Sequence, residues 1–184
     1  SQYDKIFTKH DSKLALERTA EMRYLGLAQL KTEGAQTSFD NNAGERYVYN
    51  QEHSEIALGY AITRKAIDDN LYKTQFHPSN LGLIESFQQT KEIYGANILN
   101  TATTYNSSVG GDGVALCATN HFLTSAYAWF LLTNIDGLSY MERVKFETDM
   151  QVDFVTDNLL VKGYERYSFG YYNWRSIYGS FPTS

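Results

Sequence analysis

Cys117 and His121 are the two side chains whose types and spacing come nearest to nucleophilic chemistry. Four residues apart, they would share one face of a helix. An imidazole beside a thiol can activate it, but active sites add a third group that orients the base, and none stands nearby. As zinc ligands the pair has only Asp112 and Asn120 for company, which leaves the metal short of donors. A buried thiol beside a polar histidine is the plainer reading, and a small cysteine hydrolase built on Cys117 and His121 stands as an alternative. Gly110-Gly111-Asp112-Gly113 lacks the Lys-Ser/Thr of a phosphate loop and the third glycine of a dinucleotide fingerprint. It reads as a turn that needs positive φ. Asp149, Asp153 and Asp157 lie partly on a strand pattern and do not converge, so they read as a solvated face. His10, His53 and His77 are isolated. The sequence therefore predicts no catalytic residues, no metal site and no cofactor.

The elements that would carry these residues are legible in part. Lys13 to Leu30 has helical spacing in Leu14, Leu16, Met22, Leu25 and Leu27, weakened by Gly26. Glu45 to Asn50 alternates, with Tyr47 and Tyr49 on one face and Val48 on the other. Ile56, Leu58, Tyr60 and Ile62 alternate strictly, the period of a half-buried strand. With a short polar link between them, these two segments predict an extended β-hairpin over 38–62. Thr63 is a candidate N-cap for a short helix carrying Ala66, Ile67 and Leu71. His77-Pro78-Ser79-Asn80 then opens a long helix whose face holds Leu81, Ile84, Phe87, Tyr94 and Ile98, giving a helix–loop–helix at 63–102. Val144, Phe146, Thr148, Met150, Val152 and Phe154 alternate with Lys145, Glu147, Asp149, Gln151 and Asp153, a long strand with one charged face. A helical turn is expected at 155–162. The aromatic tail from Tyr164 to Trp174 is β-prone, with bends or bulges allowed at Gly163 and Gly170.

Composition narrows the function classes. The chain has 184 residues, 42% hydrophobic and 20% charged, enough for a domain with a real core. Tyrosine is abundant: 15 Tyr, 10 Phe and 2 Trp. Its apolar ring and polar tip suit surfaces that become buried against a partner. A net charge of −5 with no basic stripe argues against a dedicated nucleic-acid reader. A single cysteine excludes an internal disulfide. Ser1-Gln2-Tyr3-Asp4-Lys5 has no basic-then-apolar leader, so secretion is not expected. The segment between Asp112 and Asp136 is uncharged and long enough to cross a bilayer. Polar Thr119, Asn120, His121, Thr124 and Ser125 in its middle argue against a span. An outer-membrane β-barrel is the other alternative raised by the Tyr-rich tail, opposed by the helical 63–102 segment.

Short motifs in a fixed order carry a family resemblance. Tyr3-Asp4-Lys5-Ile6-Phe7, Gly26-Leu27-Ala28, Glu33-Gly34 and Gly59-Tyr60-Ala61-Ile62-Thr63-Arg64 come first. Asp68-Asp69-Asn70-Leu71-Tyr72 and Gly111-Asp112-Gly113-Val114-Ala115-Leu116 with His121 follow. Phe146-Glu147-Thr148-Asp149, Tyr167-Ser168-Phe169-Gly170-Tyr171 and Trp174-Arg175 close the series. Over most of its length the chain resembles the major capsid proteins of tailed bacteriophages, which have the HK97-type coat fold.

The resemblance implies an α+β subunit divided into an N-terminal arm (1–37), an extended β-hairpin loop (38–62), a peripheral domain with its spine helix (63–121), and the end of the axial region with returning β-strands (122–184). Within these, the 78–104 helix matches the spine helix and the 144–175 strands match the long β-element. Coat subunits of this family are longer, and the Asn120-His121-Phe122-Leu123 junction reads abruptly, so axial-domain residues are expected to be missing near 121–122. The implied role is structural: self-association into hexamers and pentamers of an icosahedral virion shell around double-stranded DNA, contacted without sequence readout. Portal, scaffold or cement proteins are further implied partners, with no membrane, and assembly is expected in the host cytoplasm. Subunit contacts are expected at Tyr47, Tyr49, Glu52 and Tyr60 of the hairpin and at Tyr164, Tyr167, Tyr171 and Trp174 of the tail.

Overall fold

A computed structural model gives the fold and describes residues 1–22, 34, 36, 39, 44–107, 113–118, 123–124 and 129–180. Its described strands are β1 (Thr8–Asp11), β2 (Leu16–Met22), β3 (Glu45–Glu52), β4 (Ser54–Ile62), β5 (Leu123–Thr124), β6 (Trp129–Leu132), β7 (Leu138–Val152), β8 (Leu159–Tyr171) and β9 (Ile177–Ser180). Helices α1 (Arg64–Asp68) and α2 (Tyr72–Asn100) lie between β4 and β5. The expected mixture of helix and strand is present. The 120–123 junction falls largely outside the described residues.

The body is a sheet of order β1-β7-β8-β4, with β1 parallel to β7 and the other pairs antiparallel. Strand alternation decides its faces. Val161, Gly163, Glu165, Tyr167 and Phe169 of β8 share one face with Ile56, Leu58, Tyr60 and Ile62 of β4, through the register Ile56↔Glu165 to Ile62↔Leu159. On β7 the same face holds Tyr140, Glu142, Thr148 and Met150. Two register shifts lie between Glu142 and Glu147. Each adds one residue to β7, and one alone would turn every later side chain to the wrong face. Together they restore the alternation, so Phe146 still meets Phe87 of α2, ring centroids 4.8 Å apart. The bulges therefore fall on β7, where the sequence reading placed them at Gly163 and Gly170 of the partner strand.

Helix α2 covers that face. Thr63 caps α1 as expected, its hydroxyl accepting from the Ala66 N–H at 3.3 Å. Helix α2 starts at Tyr72, ahead of the expected start, and carries Pro78 inside it. The proline forfeits one backbone hydrogen bond, and the packing of Leu83, Phe87 and Ile98 beyond it holds the helix. The buried stripe runs through Leu83, Phe87, Lys91, Gly95 and Ile98; Leu81 of the expected face is half exposed. Phe7, Ile98, Leu116, Tyr140, Tyr167 and Phe169 form the centre of the main core.

Three sequence expectations are corrected. In the segment from Lys13 the residues Leu16–Met22 are strand, because β2 pairs with β3 in register Leu16↔Glu52 through Met22↔Glu45. The strands at Glu45–Glu52 and Ser54–Ile62 exist but do not pair with each other: β3 belongs to β2, and β4 to β8. The extended hairpin is thus β2–β3, and the chain changes sheets at His53. In place of a helical turn at 155–162, Asp153 closes a tight turn. Its side chain accepts from Thr156 Oγ1 and the Val155 N–H, its carbonyl from the Asp157 N–H, and β8 begins at Leu159.

Gly163 faces α2 where a Cβ would lie 2.8 Å from a Phe87 ring carbon and 2.9 Å from one of Phe146. Gly163→Ala should cost about 1–3 kcal/mol by overpacking, read as a fall in Tm of about 2–4 °C per kcal/mol. An unchanged melting temperature would show that the two rings give way freely.

Candidate subunit-contact surfaces

The opposite face of the sheet is polar over most of its length, with Lys162, Tyr164 and Arg166 beside Glu147, Asp149 and Glu55. At one end the hairpin root covers it. Ser139 Oγ donates to Gln51 Oε1 at 3.1 Å, and the Tyr49 ring lies nearly parallel to Tyr172, centroids 6.5 Å apart. His53, buried, bonds Ser12 Oγ through Nε2 at 2.7 Å and Ser168 Oγ through Nδ1 at 3.0 Å. Ser12 also donates to Glu17 Oε1 at 2.6 Å. His53 was isolated in the sequence; the fold gives it partners on two segments distant in sequence.

These contacts sort the eight expected interface residues. Tyr49, Tyr167 and Tyr171 are buried within the chain, where their rings fill its own interior. Tyr167 packs among Tyr94, Tyr140 and Phe169, and Tyr171 donates its hydroxyl to the Val114 carbonyl at 3.2 Å. Burial pushes the phenols of Tyr49 and Tyr167 up, as expected for groups cut off from water. Tyr47 and Glu52 are exposed, while Tyr60, Tyr164 and Trp174 are half-buried. The Arg175 guanidinium sits 4.4 Å over the Trp174 ring. Large apolar side chains that the sequence reading left out are the most open of all. Phe154 is 97% and Val155 86% exposed at the β7–β8 turn, with Met150 and Val152 beside them beyond the cover of α2. Leu16 and Val48 are exposed on the hairpin. The signal for the turn was the apolar alternation itself, which continues to Phe154 past the last position that faces the helix.

Cys117 is a core residue. It is 1% exposed, burial pushes its thiol up to about 11, and a Cβ on Gly179 would lie 2.5 Å from its sulfur. A thiol in that state is a poor nucleophile at neutral pH. His121 lies outside the described residues. Among the described residues no group of His, Cys, Asp and Glu is placed to hold a metal ion, and no helix is long and apolar enough to cross a membrane. The two buried carboxylates are instead structural, each paired with a lysine. Glu165, 1% exposed, meets Lys91 Nζ at 2.6 Å, and Glu142 meets Lys9 Nζ at 2.6 Å while accepting from Tyr140 at 3.2 Å.

No family model and no curated protein matches the chain. Solved structures do. The subunit in the procapsid of bacteriophage JBD30 superposes with a TM-score of 0.66 at 17% identity, over 100% of this chain and 69% of that one. The capsid subunit of an empty GTA particle gives 0.62 at 12%, over 99% and 90%. A chain of the Microbacterium phage Oxtober96 structure gives 0.58 at 10%, over 100% and 91%. The chain has the HK97-type capsid fold.

Burial raises the pKa of Glu165, opposed by Lys91. A carboxyl raised above its ordinary 4.5 stabilises the fold fully below that pH and loses this contribution as pH rises through the folded value. Lys91→Met leaves the carboxylate uncompensated and should cost about 3–5 kcal/mol near pH 7. The cost should shrink as pH falls toward 4.5, measured by denaturant unfolding across that range. A pH-independent loss would assign the effect to packing alone.

Proposed function

We propose that this chain is a major capsid subunit, self-assembling into the icosahedral head that encloses the double-stranded DNA of a tailed phage. The observation that carries this reading is the likeness to capsid and procapsid subunits over 99–100% of the chain. The surface supports it. Phe154, Val155, Met150 and Val152 at one end of the body and Leu16 and Val48 on the hairpin are open apolar groups of the kind that neighbouring copies cover.

In this reading the arm, expected at 1–37, shortens to the residues before β2, and residues 63–121 form the peripheral domain around α2. The extended loop, placed at 38–62 from sequence, is better matched by β2–β3. Residues 122–184 hold the end of the axial region and the returning strands. Tyr47, Glu52, Tyr60, Tyr164 and Trp174 remain the polar and aromatic contact candidates, joined by the apolar groups above. Contacts with portal, scaffold or cement proteins fall to surfaces outside the self-association set. DNA is contained without sequence readout, in keeping with a net charge of −5. Assembly takes place in the host cytoplasm and ends in the virion.

Electron microscopy and sedimentation of the concentrated, purified protein should show shells, or hexameric and pentameric capsomers. A monodisperse monomer at every concentration would overturn the reading. Val48→Asp on the exposed hairpin face should abolish assembly while shifting stability by no more than about 0.5 kcal/mol.

A further inference from the structure

The hairpin β2–β3 joins the body through residues 12–15, which follow β1, and through His53, which precedes β4. The bond between Ser12 Oγ and His53 Nε2 ties these two attachment points together, and the bond from Nδ1 to Ser168 ties them to β8. A histidine that bridges both attachments of a projecting element to the body beneath it is placed to control that element.

The hydrogen bonds suit the neutral ring. Ser12 has one hydroxyl hydrogen, and at 2.6 Å the Glu17 carboxylate is its strongest acceptor. Nε2 must then carry a hydrogen and donate to Ser12, while the Ser168 hydroxyl, which can donate or accept, is able to satisfy a bare Nδ1. That is the neutral ring, with both nitrogens satisfied. Burial holds its pKa below the ordinary 6.5; Glu17 opposes this, and Arg166 and Arg143 reinforce it.

The charges around the ring are divided between the two bodies they belong to. Glu17, on β2, moves with the hairpin. Arg143 on β7 and Arg166 on β8 belong to the sheet, and Arg166 is held by Glu55 of β4 at 3.4 Å. A proton on His53 would be drawn toward the hairpin's carboxylate and pushed from the sheet's two guanidinium groups. We propose that His53 is a proton-operated latch, which holds the hairpin root to the β7–β8 ribbon when neutral and releases it when protonated.

The direction with pH follows from linkage. A ring released to water protonates near 6.5, so the closed root is fully held above that pH and is lost as pH falls below it toward the closed-state value. Because opening takes up one proton, the opening constant rises by at most about tenfold per pH unit.

Hydrogen exchange of the whole chain, read by mass spectrometry at pH 7.5 and 5.5 and corrected for intrinsic rates, tests this. Amides of β2 and β3 should lose protection at the lower pH relative to those of α2, by up to about tenfold. His53→Gln, whose amide donates and accepts without titrating, should abolish the difference. Equal protection at both pH values in the wild type, or the same loss in His53→Gln, would overturn the latch. Should that variant not fold, an NMR titration of the wild-type ring decides: a pKa of 6.5 or above rules the latch out. Both measurements read the subunit itself, so they stand apart from whether the chain assembles.

Discussion

The long antiparallel pairing of β7 with β8 leaves one face of a ribbon apolar, and each major element is positioned by how it covers or extends that ribbon. Helix α2 covers the apolar face, β4 and β1 extend it at either edge, and the hairpin root closes the other face near Ser139 and Ser168. The two bulges on β7 are part of the same constraint. They bend and twist the ribbon while keeping its apolar side under the helix, which a single insertion could not do.

The cover is incomplete, and this separates core from contact surface. Tyr167, Phe169 and Tyr140 lie under α2 and the N-terminal turn, where aromatic edges and faces fill the interior. Met150, Val152 and Phe154 continue the same alternation on β7, whereas α2 packs on β8 and β4. One sequence pattern thus serves two purposes, and the placement of the helix over β8 and β4 decides which side chains it covers. Buried charge follows the same geography: Lys91 and Glu165 face each other in the middle of the covered stripe, where each is tolerable only because of the other.

Much of this was legible from residues, and what was not has physical reasons. The strand segments at 45–50, 56–62 and 144–152 announce themselves by alternation, and α1 by its Thr63 cap. Alternation reports that a strand exists and which side is wet; it carries nothing about the partner, so β3 and β4 were paired with each other. The helix stripe was displaced because two of its buried positions, Lys91 and Gly95, are a cation and a glycine, which an apolar count passes over. At Gly95, Phe169 and Tyr3 lie 3.4 Å from where a Cβ would be, so the position is packed although it carries no side chain. Tyrosine was ambiguous for its own reason: ring and hydroxyl suit an interior with a carbonyl in reach, as at Tyr171, as well as an interface. The partners of His53 come from β8 and from the segment after β1, far apart in sequence, and no local pattern could bring them together.

The strand order also sets a timetable for folding. Strand β4 finds its partner only when Leu159 to Tyr167 are available, and β1 waits for Ser139 to Glu142. Helix α2 can form early from local contacts, but the face it must rest on is made last. During synthesis the chain therefore carries an amphipathic helix and two unpaired strands through most of its elongation. Such exposed edges and apolar stripes are what chaperones engage. Completion of the β7–β8 ribbon removes them together, so folding should be slow to begin and cooperative once the last third of the chain is free.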